Sequence, residues 1–123
     1  MKIQRLSHNA FEKIIDGDLT NEADCVIKFY SNSCHLCRGL KKPYEEIAEE
    51  LSDEGLHFFA FNIDDYAHFE RLGVNGVPSI AFVKVRSRNA EMTLLSDPDP
   101  TKADKESWYH RDDIVKFIQD NIQ

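Results

Sequence analysis

The sequence predicts a single α/β domain over residues 1–123, built on a mixed, mostly parallel central sheet with helices on both faces. One reason is an alternation, because segments with apolar residues at helical spacing follow short runs rich in β-branched and aromatic residues. A further reason is that these short runs are nearly continuous in apolar residues, as buried parallel strands are. Finally, two runs lie close together around residue 90, which predicts a hairpin at the sheet edge. The predicted element order is βαβαβαββα.

The N-terminal part predicts a strand followed by a helix. Residues 2–6 form the strand, and Ser7 or Asn9 is the expected N-cap of the helix. Asn9 and Glu12 also have the spacing of a capping box. The helix is expected to end near Gly17. Its apolar stripe consists of Phe11, Ile14 and Ile15.

The middle of the chain predicts a buried strand and a long helix. After a polar connection over 18–24, residues 25–30 are mostly apolar and predict a central strand. Pro43 lies inside the helix that follows, and we expect a kinked helix rather than two helices, because Gly39 sits where the proline ring crowds the backbone. Charged residues cover the other faces of this helix and indicate a solvated surface. The apolar stripe of the helix consists of Leu36, Leu40, Tyr44, Ile47 and Leu51.

The second half of the chain continues the alternation and ends it with a hairpin and a helix. Gly55 marks the end of the connection after the long helix, and a polar loop over 96–107 is long for a compact domain. The predicted elements are a strand over 56–63, a short helix from Asp64 with Tyr66, Phe69 and Leu72 on one face, a turn-rich link over 73–78, a strand over 79–85, a hairpin turn over 86–90, an antiparallel edge strand over 91–95 and a helix from Asp112 with Ile114, Val115, Phe117, Ile118 and Ile122 inward.

Composition and charge exclude several classes of protein. The formal net charge of −7 argues against a nucleic-acid partner. No apolar run approaches the roughly 20 residues that span a bilayer. The N-terminus lacks the apolar core of a secretory signal, so we expect a cytoplasmic protein, unless a secretory or endoplasmic-reticulum leader has been removed. Three cysteines are too few for a disulfide-stapled scaffold, and we expect a monomer.

Cys34 and Cys37 form a C-x-x-C pair at the junction of the predicted central strand and long helix. Unpaired N–H groups and the helix dipole favour negative charge at a helix N-terminus. A thiolate at Cys34 is therefore stabilised, and the thiolate is the nucleophilic form of cysteine. Cys37, one turn further on, is placed to attack a mixed disulfide formed at Cys34. The spacing thus predicts a redox-active dithiol.

Two other interpretations of the cysteine pair remain open. The pair is half of a zinc site only if ligands such as Cys25, His35 or His68 complete it, because a second C-x-x-C is absent. The alternative is two inert thiols on a helix. We expect neither metal nor cofactor, and we interpret Cys25, on the central strand, as a small buried core residue.

These features together resemble the thioredoxin superfamily, including protein disulfide isomerase domains, over most of the chain. A C-x-x-C followed about 40 residues later by a G-V-P-S turn that enters a strand is a specific combination. The resemblance rests on the strand Val26 to Tyr30, the cysteine pair, Arg38, the helix proline, Asn62-Ile63-Asp64, Gly76-Val77-Pro78-Ser79, and Tyr109 with Arg111.

The resemblance implies a thioredoxin-like fold and a substrate-binding role for the turn before the fourth strand. In that family the corresponding proline is cis and faces the dithiol, so the resemblance implies a cis bond at Pro78. A cis X–Pro bond is accessible because proline lowers its cost. The backbone of Val77 is then expected to pair with an extended substrate chain.

Several residues around the pair depart from the family pattern. His35 stands where glycine or proline is common, and a protonated His35 would favour the Cys34 thiolate. Lys28 stands six residues before Cys34, where relatives often carry a buried acid. A buried, charged Lys28 lowers the pKa of Cys37, a buried and neutral one acts as a base, and a snorkelling one has no effect. Ser33 replaces the usual aromatic, and Pro43 comes one residue later than usual.

The predicted function is a thiol–disulfide oxidoreductase that acts on protein thiols and disulfides, with Cys34 as nucleophile and Cys37 as resolving cysteine. His35 and Lys28 favour an oxidising potential, whereas a cytoplasmic location favours a reductase fed by a thioredoxin-reductase-type electron donor. We give the compartment slightly more weight. The alternative is a thioredoxin-fold adaptor or redox sensor with little turnover, since fold does not fix function.

Overall fold

The structure is a computed structural model, and it describes residues 3–15, 22–32, 35–51, 55–65, 79–86, 89–95 and 111–122. Strands and helices alternate along the chain and end with two consecutive strands and a helix. In chain order they are β1 (Ile3–Arg5), α1 (His8–Ile15), β2 (Ala23–Tyr30), α2 (His35–Glu50), β3 (Leu56–Asn62), a 3-10 turn (Ile63–Asp65), β4 (Ser79–Arg86), β5 (Asn89–Leu95) and α3 (Arg111–Ile122).

The five strands form one mixed sheet in the order β1-β3-β2-β4-β5. β3 pairs in parallel with β1 and β2, and β4 pairs antiparallel with β2 and β5. The mixed sheet and the antiparallel edge strand are confirmed, although the share of parallel pairing is half rather than most. β2 is the middle strand, so the chain leaves the centre of the sheet where it enters the C-x-x-C segment.

Each face of the sheet is covered by apolar side chains that alternate along its strands, as the two-residue period of a strand requires. On one face Phe11 of α1 stacks on Phe61 with ring centroids 4.3 Å apart and meets Phe29 edge-on at 5.8 Å. On the other face α2 and α3 pack against the sheet. That second cluster includes Val26, Leu40, Tyr44, Ile47, Phe58, Phe82, Ile114 and Ile118. The predicted stripes of α1, α2 and α3 therefore face the core wherever they are described.

The start of α1 confirms one predicted cap and corrects the other. Ser7 is the N-cap, because its Oγ accepts the backbone N–H of Ala10 at 3.1 Å. The capping box predicted for Asn9 and Glu12 is wrong, since Asn9 lies inside the helix. Glu12 instead pairs with His8, one turn earlier, at 2.6 Å.

Two strands begin earlier than the sequence predicts. Ala23 and Asp24 belong to β2 rather than to a polar connection, because they pair with Val85 and Lys84 of β4. Arg86 also donates to the Asp24 carboxylate at 2.7 Å and to the Ala23 carbonyl at 3.3 Å. This ion pair satisfies the charge of Asp24 at the strand end. β5 begins at Asn89, which pairs with Arg86, so part of the predicted turn over 86–90 is strand.

The long helix and the turns at Gly55 and after β3 lie where the sequence predicts them. α2 is a single helix with Pro43 inside, as predicted, and Gly55 has a φ of 72°, which glycine adopts without steric cost. The 3-10 turn lies where a short helix was predicted, and the apolar face expected for that helix falls outside the described residues. Within the described ranges, none of the helices combines the length and apolar character needed to cross a bilayer.

Candidate functional site

The junction between β2 and α2 holds the cysteine pair. β2 ends at Tyr30 and α2 begins at His35, which confirms the predicted change from strand to helix at this point. Cys37 belongs to the first turn of α2, and His35 is its first residue. Cys34 lies between the last described residue of the loop and the helix, outside the described residues. The N-terminal end of a 16-residue helix carries a positive potential that stabilises a thiolate.

The turn predicted to bind substrate, Val77 and Pro78, also falls outside the described residues. Its position along the chain is bounded by β4, which begins at the next residue, Ser79. Ser79 pairs with Phe29 on the neighbouring strand β2. β4 therefore begins beside the C-terminal end of β2, the end from which the chain continues to the cysteine pair.

A hydrogen-bond network holds the loop that precedes the pair. Asn62, 1% exposed at the end of β3, donates its Nδ2 to Asn32 Oδ1 at 2.9 Å. Its Oδ1 accepts the backbone N–H of Asp64 at 3.0 Å, and the Asp64 carboxylate accepts the backbone N–H of Asn32 at 3.1 Å. This closed ring of three bonds fixes Asn32 two residues before Cys34.

Lys28 is buried on the α2 face of β2, with 7% of its surface exposed. This burial argues against the snorkelling alternative. Its Nζ lies 5.2 Å from the ring centroid of Tyr44 and 5.6 Å from that of Tyr30, within the range of cation–π attraction. Burial lowers the pKa of the Lys28 ammonium, the carboxylate of Glu45 opposes that shift, and the Lys41 cation adds to it.

A cavity of about 430 Å³ opens between α2 and the β1-β3-β2 part of the sheet. Its floor carries the buried Lys28, and much of its rim is exposed. The part of α2 that forms its wall begins at Arg38, directly after Cys37. The lining residues are Ile3, Arg5, Lys28, Tyr30, Ser31, Asn32, Arg38, Lys41, Glu45 and Ala60.

Tyr44 anchors α2 beneath this cavity. The residue is fully buried, and its hydroxyl lies 2.7 Å from the Phe59 carbonyl of β3 and 3.0 Å from the Val26 carbonyl of β2. The single O–H proton is thus shared between two neighbouring strands. Burial raises the pKa of Tyr44 well above its ordinary value, although backbone hydrogen bonds at Phe59 and Lys28 oppose the shift.

Several of these residues had no predicted role. Asn62 and Asp64 enter the sequence analysis only as part of the family resemblance, and the sequence predicts no role for Asn32. The signal for the network was the position of an Asn-x-Asp sequence directly after a buried strand. Arg5 and Ala60 gave no comparable signal, because only the register of the sheet brings them beside Lys28.

Comparison with known proteins places the fold. The family model described as Thioredoxin matches residues 2–100. The J-Trx1 fragment of ERdj5 superposes with a TM-score of 0.70 at 22% identity, covering 98% of this chain and 50% of that one. Chloroplastic thioredoxin z superposes with a TM-score of 0.66 at 18% identity, covering 98% of this chain and 94% of that one. These likenesses confirm the predicted thioredoxin-like α/β fold.

Curated relatives point to the same family. The chloroplastic thioredoxin-like protein HCF164 of Arabidopsis thaliana is 29% identical over 80 residues, which are 63% of this chain and 30% of that protein. A putative protein disulfide-isomerase of Schizosaccharomyces pombe is 31% identical over 65 residues, 53% of this chain and 13% of that protein. The chain thus spans less than a third of either relative. With the family model matched over most of its length, the chain belongs to the thioredoxin family.

Proposed function

We propose that the protein transfers electrons between its own C-x-x-C dithiol and the disulfides of other proteins, with Cys34 as nucleophile and Cys37 as resolving cysteine. The observation that carries this proposal is the position of the pair in a thioredoxin-family chain. The motif spans the start of a 16-residue helix that directly follows the middle strand of the sheet. That position supplies the positive potential that a reactive thiolate needs.

The proposed reaction has two exchange steps. The Cys34 thiolate attacks one sulfur of a substrate disulfide, a mixed disulfide forms, and the other substrate sulfur leaves as a thiolate. Cys37 then loses its proton and attacks the Cys34 sulfur, which releases the second substrate sulfur as a thiolate. Two electrons have moved to the substrate, and the chain holds a Cys34–Cys37 disulfide. A dithiol electron donor, of the kind that reduces thioredoxins, returns two electrons by the same exchange.

Lys28 and His35 are the proposed tuning residues. A charged Lys28 favours the Cys37 thiolate by attraction, and a neutral one accepts the proton that Cys37 loses. The lowered pKa of Lys28 supports the second role, because it makes the neutral amine more accessible. A protonated His35 favours the thiolate of the adjacent Cys34. Val77 and Pro78 are proposed, from the resemblance alone, to hold the substrate backbone.

We propose the reducing direction, in a monomeric cytoplasmic protein. The reduction potential of the pair decides this direction. A value near the roughly −270 mV of thioredoxin supports a reductase, whereas a value near −120 mV supports an oxidase.

Reduction of insulin by dithiothreitol tests the proposal. We expect the chain to accelerate this reaction, and we expect Cys34→Ser to reduce the rate to the uncatalysed level because the nucleophile is gone. Cys25→Ala is the matched control, since Cys25 is a buried free cysteine on β2. It should retain the activity. Activity that survives in Cys34→Ser contradicts the proposal.

Cys37→Ser separates catalysis from the adaptor alternative. Without the resolving thiol, a catalytic Cys34 stays covalently joined to its substrate. Mixed disulfides should therefore accumulate, and dithiothreitol should reduce them. An adaptor instead gives stoichiometric partners that resist dithiothreitol. That second result, together with no insulin reduction, would replace the oxidoreductase proposal by the adaptor.

A further inference from the structure

The cavity beside α2 has a charge opposite to that of the chain. Its described lining includes four cations, at Arg5, Lys28, Arg38 and Lys41, and a single carboxylate at Glu45. The whole chain carries 15 basic and 22 acidic side chains. A concave site lined by one sign of charge attracts ligands of the other sign.

The register of the sheet builds the floor of this cavity. Ala60 of β3 pairs with Arg5 of β1 on one side and with Lys28 of β2 on the other. All three line the cavity, so a methyl group lies between two long cationic side chains. Neighbouring strands are about 4.8 Å apart, so the backbones of Arg5 and Lys28 are about 10 Å from each other. The small side chain of Ala60 leaves a notch of molecular size between them.

Lys28 is a cation whose charge the Glu45 carboxylate favours without forming an ion pair with it. It is 7% exposed, and its described partners are the rings of Tyr30 and Tyr44, with neither hydrogen bond nor ion pair. A buried ammonium without such a partner costs free energy of folding. An anion in the notch would pair with the Lys28 ammonium. The free energy lost by burying that charge would then be recovered when the anion binds.

The other residues that line the cavity indicate what the uncharged part of the ligand is. Ile3, Ala60 and the ring of Tyr30 provide an apolar surface next to the cations. The volume of about 430 Å³ lies within the range of small-ligand pockets, which is roughly 300–1,000 Å³. Glu45 in the wall disfavours a highly charged anion. Arg5 and Arg38 carry the planar fork that matches a carboxylate.

We propose that this cavity binds a carboxylate on a short apolar stem, supplied either by an acidic side chain of the protein substrate or by a free small organic acid. Lys28 and Arg5 hold the carboxylate, and Ala60 and Ile3 contact the stem. The first source rests on the proposed function, because the cavity wall begins directly after Cys37. The second source is independent of thiol chemistry.

A titration of the full-length Cys34→Ser, Cys37→Ser chain with glutarate, followed by backbone amide NMR, tests binding without redox chemistry. We expect saturable shifts at Lys28, Ala60 and Lys41. Lys28→Met should weaken binding roughly tenfold or more, because a charged hydrogen bond is lost. Ala60→Leu should abolish binding by filling the notch while every charge remains. Lys42→Gln, which removes an exposed cation of α2 outside the cavity, should bind as the parent does.

Two results of the glutarate titration would overturn the proposal. One is a shift that does not saturate, and the other is equal affinity in the parent, Lys28→Met and Ala60→Leu chains. Tighter binding of inorganic phosphate than of glutarate would overturn the assignment of a carboxylate. The pKa of Lys28 provides a separate readout, since glutarate should raise it by stabilising the ammonium.

A pair of disulfide peptides that differ only by Glu or Gln beside the cysteine distinguishes the two sources. If the substrate supplies the carboxylate, kcat/KM of the native chain falls for the Gln peptide, and Lys28→Met removes the difference. Equal rates for the two peptides overturn that source and leave the free acid. If neither peptide is reduced, the proposed function fails, whereas the glutarate titration still decides whether the cavity binds a carboxylate.

Discussion

Lys28 is a lysine of β2 with 7% of its surface exposed. Its described contacts are the rings of Tyr30 and Tyr44, and the nearby Glu45 carboxylate favours its charge without forming an ion pair. Burial of a charge without a hydrogen-bonded counterion costs free energy, so a side chain of similar length without the charge is better suited to packing. A residue that breaks this rule in an otherwise apolar core is a sign of function.

Lys28→Met should raise the free energy of unfolding by about 1–3 kcal/mol at pH 7, because the desolvated charge is removed while most of the packing is kept. Urea denaturation in dithiothreitol measures this change. Lys42→Met, at an exposed position of α2, is the matched control and should shift stability by less than about 0.5 kcal/mol. A loss of stability in Lys28→Met would show that the cation–π contacts outweigh the desolvation.

The sequence left the state of Lys28 open for a physical reason. A lysine near the end of a strand has a stem long enough either to stay buried or to reach solvent. The state of the Lys28 side chain depends on Ala60, its partner on β3, and on the position of Tyr44 on α2. Neither contact has a local sequence pattern. In contrast, the burial of Cys25 followed from its place in a continuous apolar run, and the structure confirms it at 3% exposed.

At the scale of elements, the Asn62 network joins the end of β3 to the loop that follows β2. Asn62 supplies one donor and one acceptor in a buried position, and both are used. A side chain that offers only acceptors turns the contact with Asn32 Oδ1 from attraction into repulsion. The loop that leads to Cys34 therefore depends on an amide at position 62.

Asn62→Asp should lower the free energy of unfolding by about 1–3 kcal/mol at pH 7, because a buried carboxylate replaces the amide and its Nδ2 bond is lost. It should also slow insulin reduction, since Asn32 is no longer held two residues before Cys34. Urea denaturation and the insulin assay measure the two effects. Asn89→Asp, an exposed change on β5, is the control and should leave both unchanged. Unchanged stability in Asn62→Asp would contradict the proposed importance of the network.

Element types were predictable because apolar spacing records which face of a helix or strand is buried. Element ends were less predictable, because they depend on partners distant in sequence. Asp24 reads as part of a polar connection until Arg86 is seen beside it, 62 residues away. The antiparallel pairing of β4 with β2 has no local signal either, since a continuous apolar run suits a buried strand of either direction.

At the scale of the whole molecule, buried titratable groups give stability a dependence on pH. Burial, with a smaller contribution from the Asp24 charge, raises the pKa of Cys25 from 9.0 to about 11. Burial also raises the pKa of Tyr44. Both folded-state groups hold their protons more tightly than in the unfolded chain, so this stability is complete below the unfolded pKa and is lost as pH rises. Lys28 has a lowered pKa and therefore acts in the opposite direction.

Between pH 8 and 11 the free energy of unfolding should fall, and Cys25 should account for about 2 kcal/mol of the decline, because its pKa rises from 9.0 to about 11. Urea denaturation in dithiothreitol at pH 8 and pH 11 measures the difference. The Cys25→Ala chain should show a smaller decline over the same interval. An equal decline in both chains would show that the Cys25 thiol does not titrate differently on folding.

The hydroxyl of Tyr44 also has a mechanical consequence. Because it is held by carbonyls of two strands, Tyr44 acts as a fixed pivot, and Pro43 directly before it lacks the N–H that would stiffen the preceding turn. The segment of α2 from Cys37 to Tyr44 is about 10 Å long, so a tilt of about 10° about Tyr44 moves its N-terminal end by about 2 Å. We expect the distance between the Cys34 and Cys37 sulfurs to adjust through this tilt, while the position of the sheet does not change with the redox state.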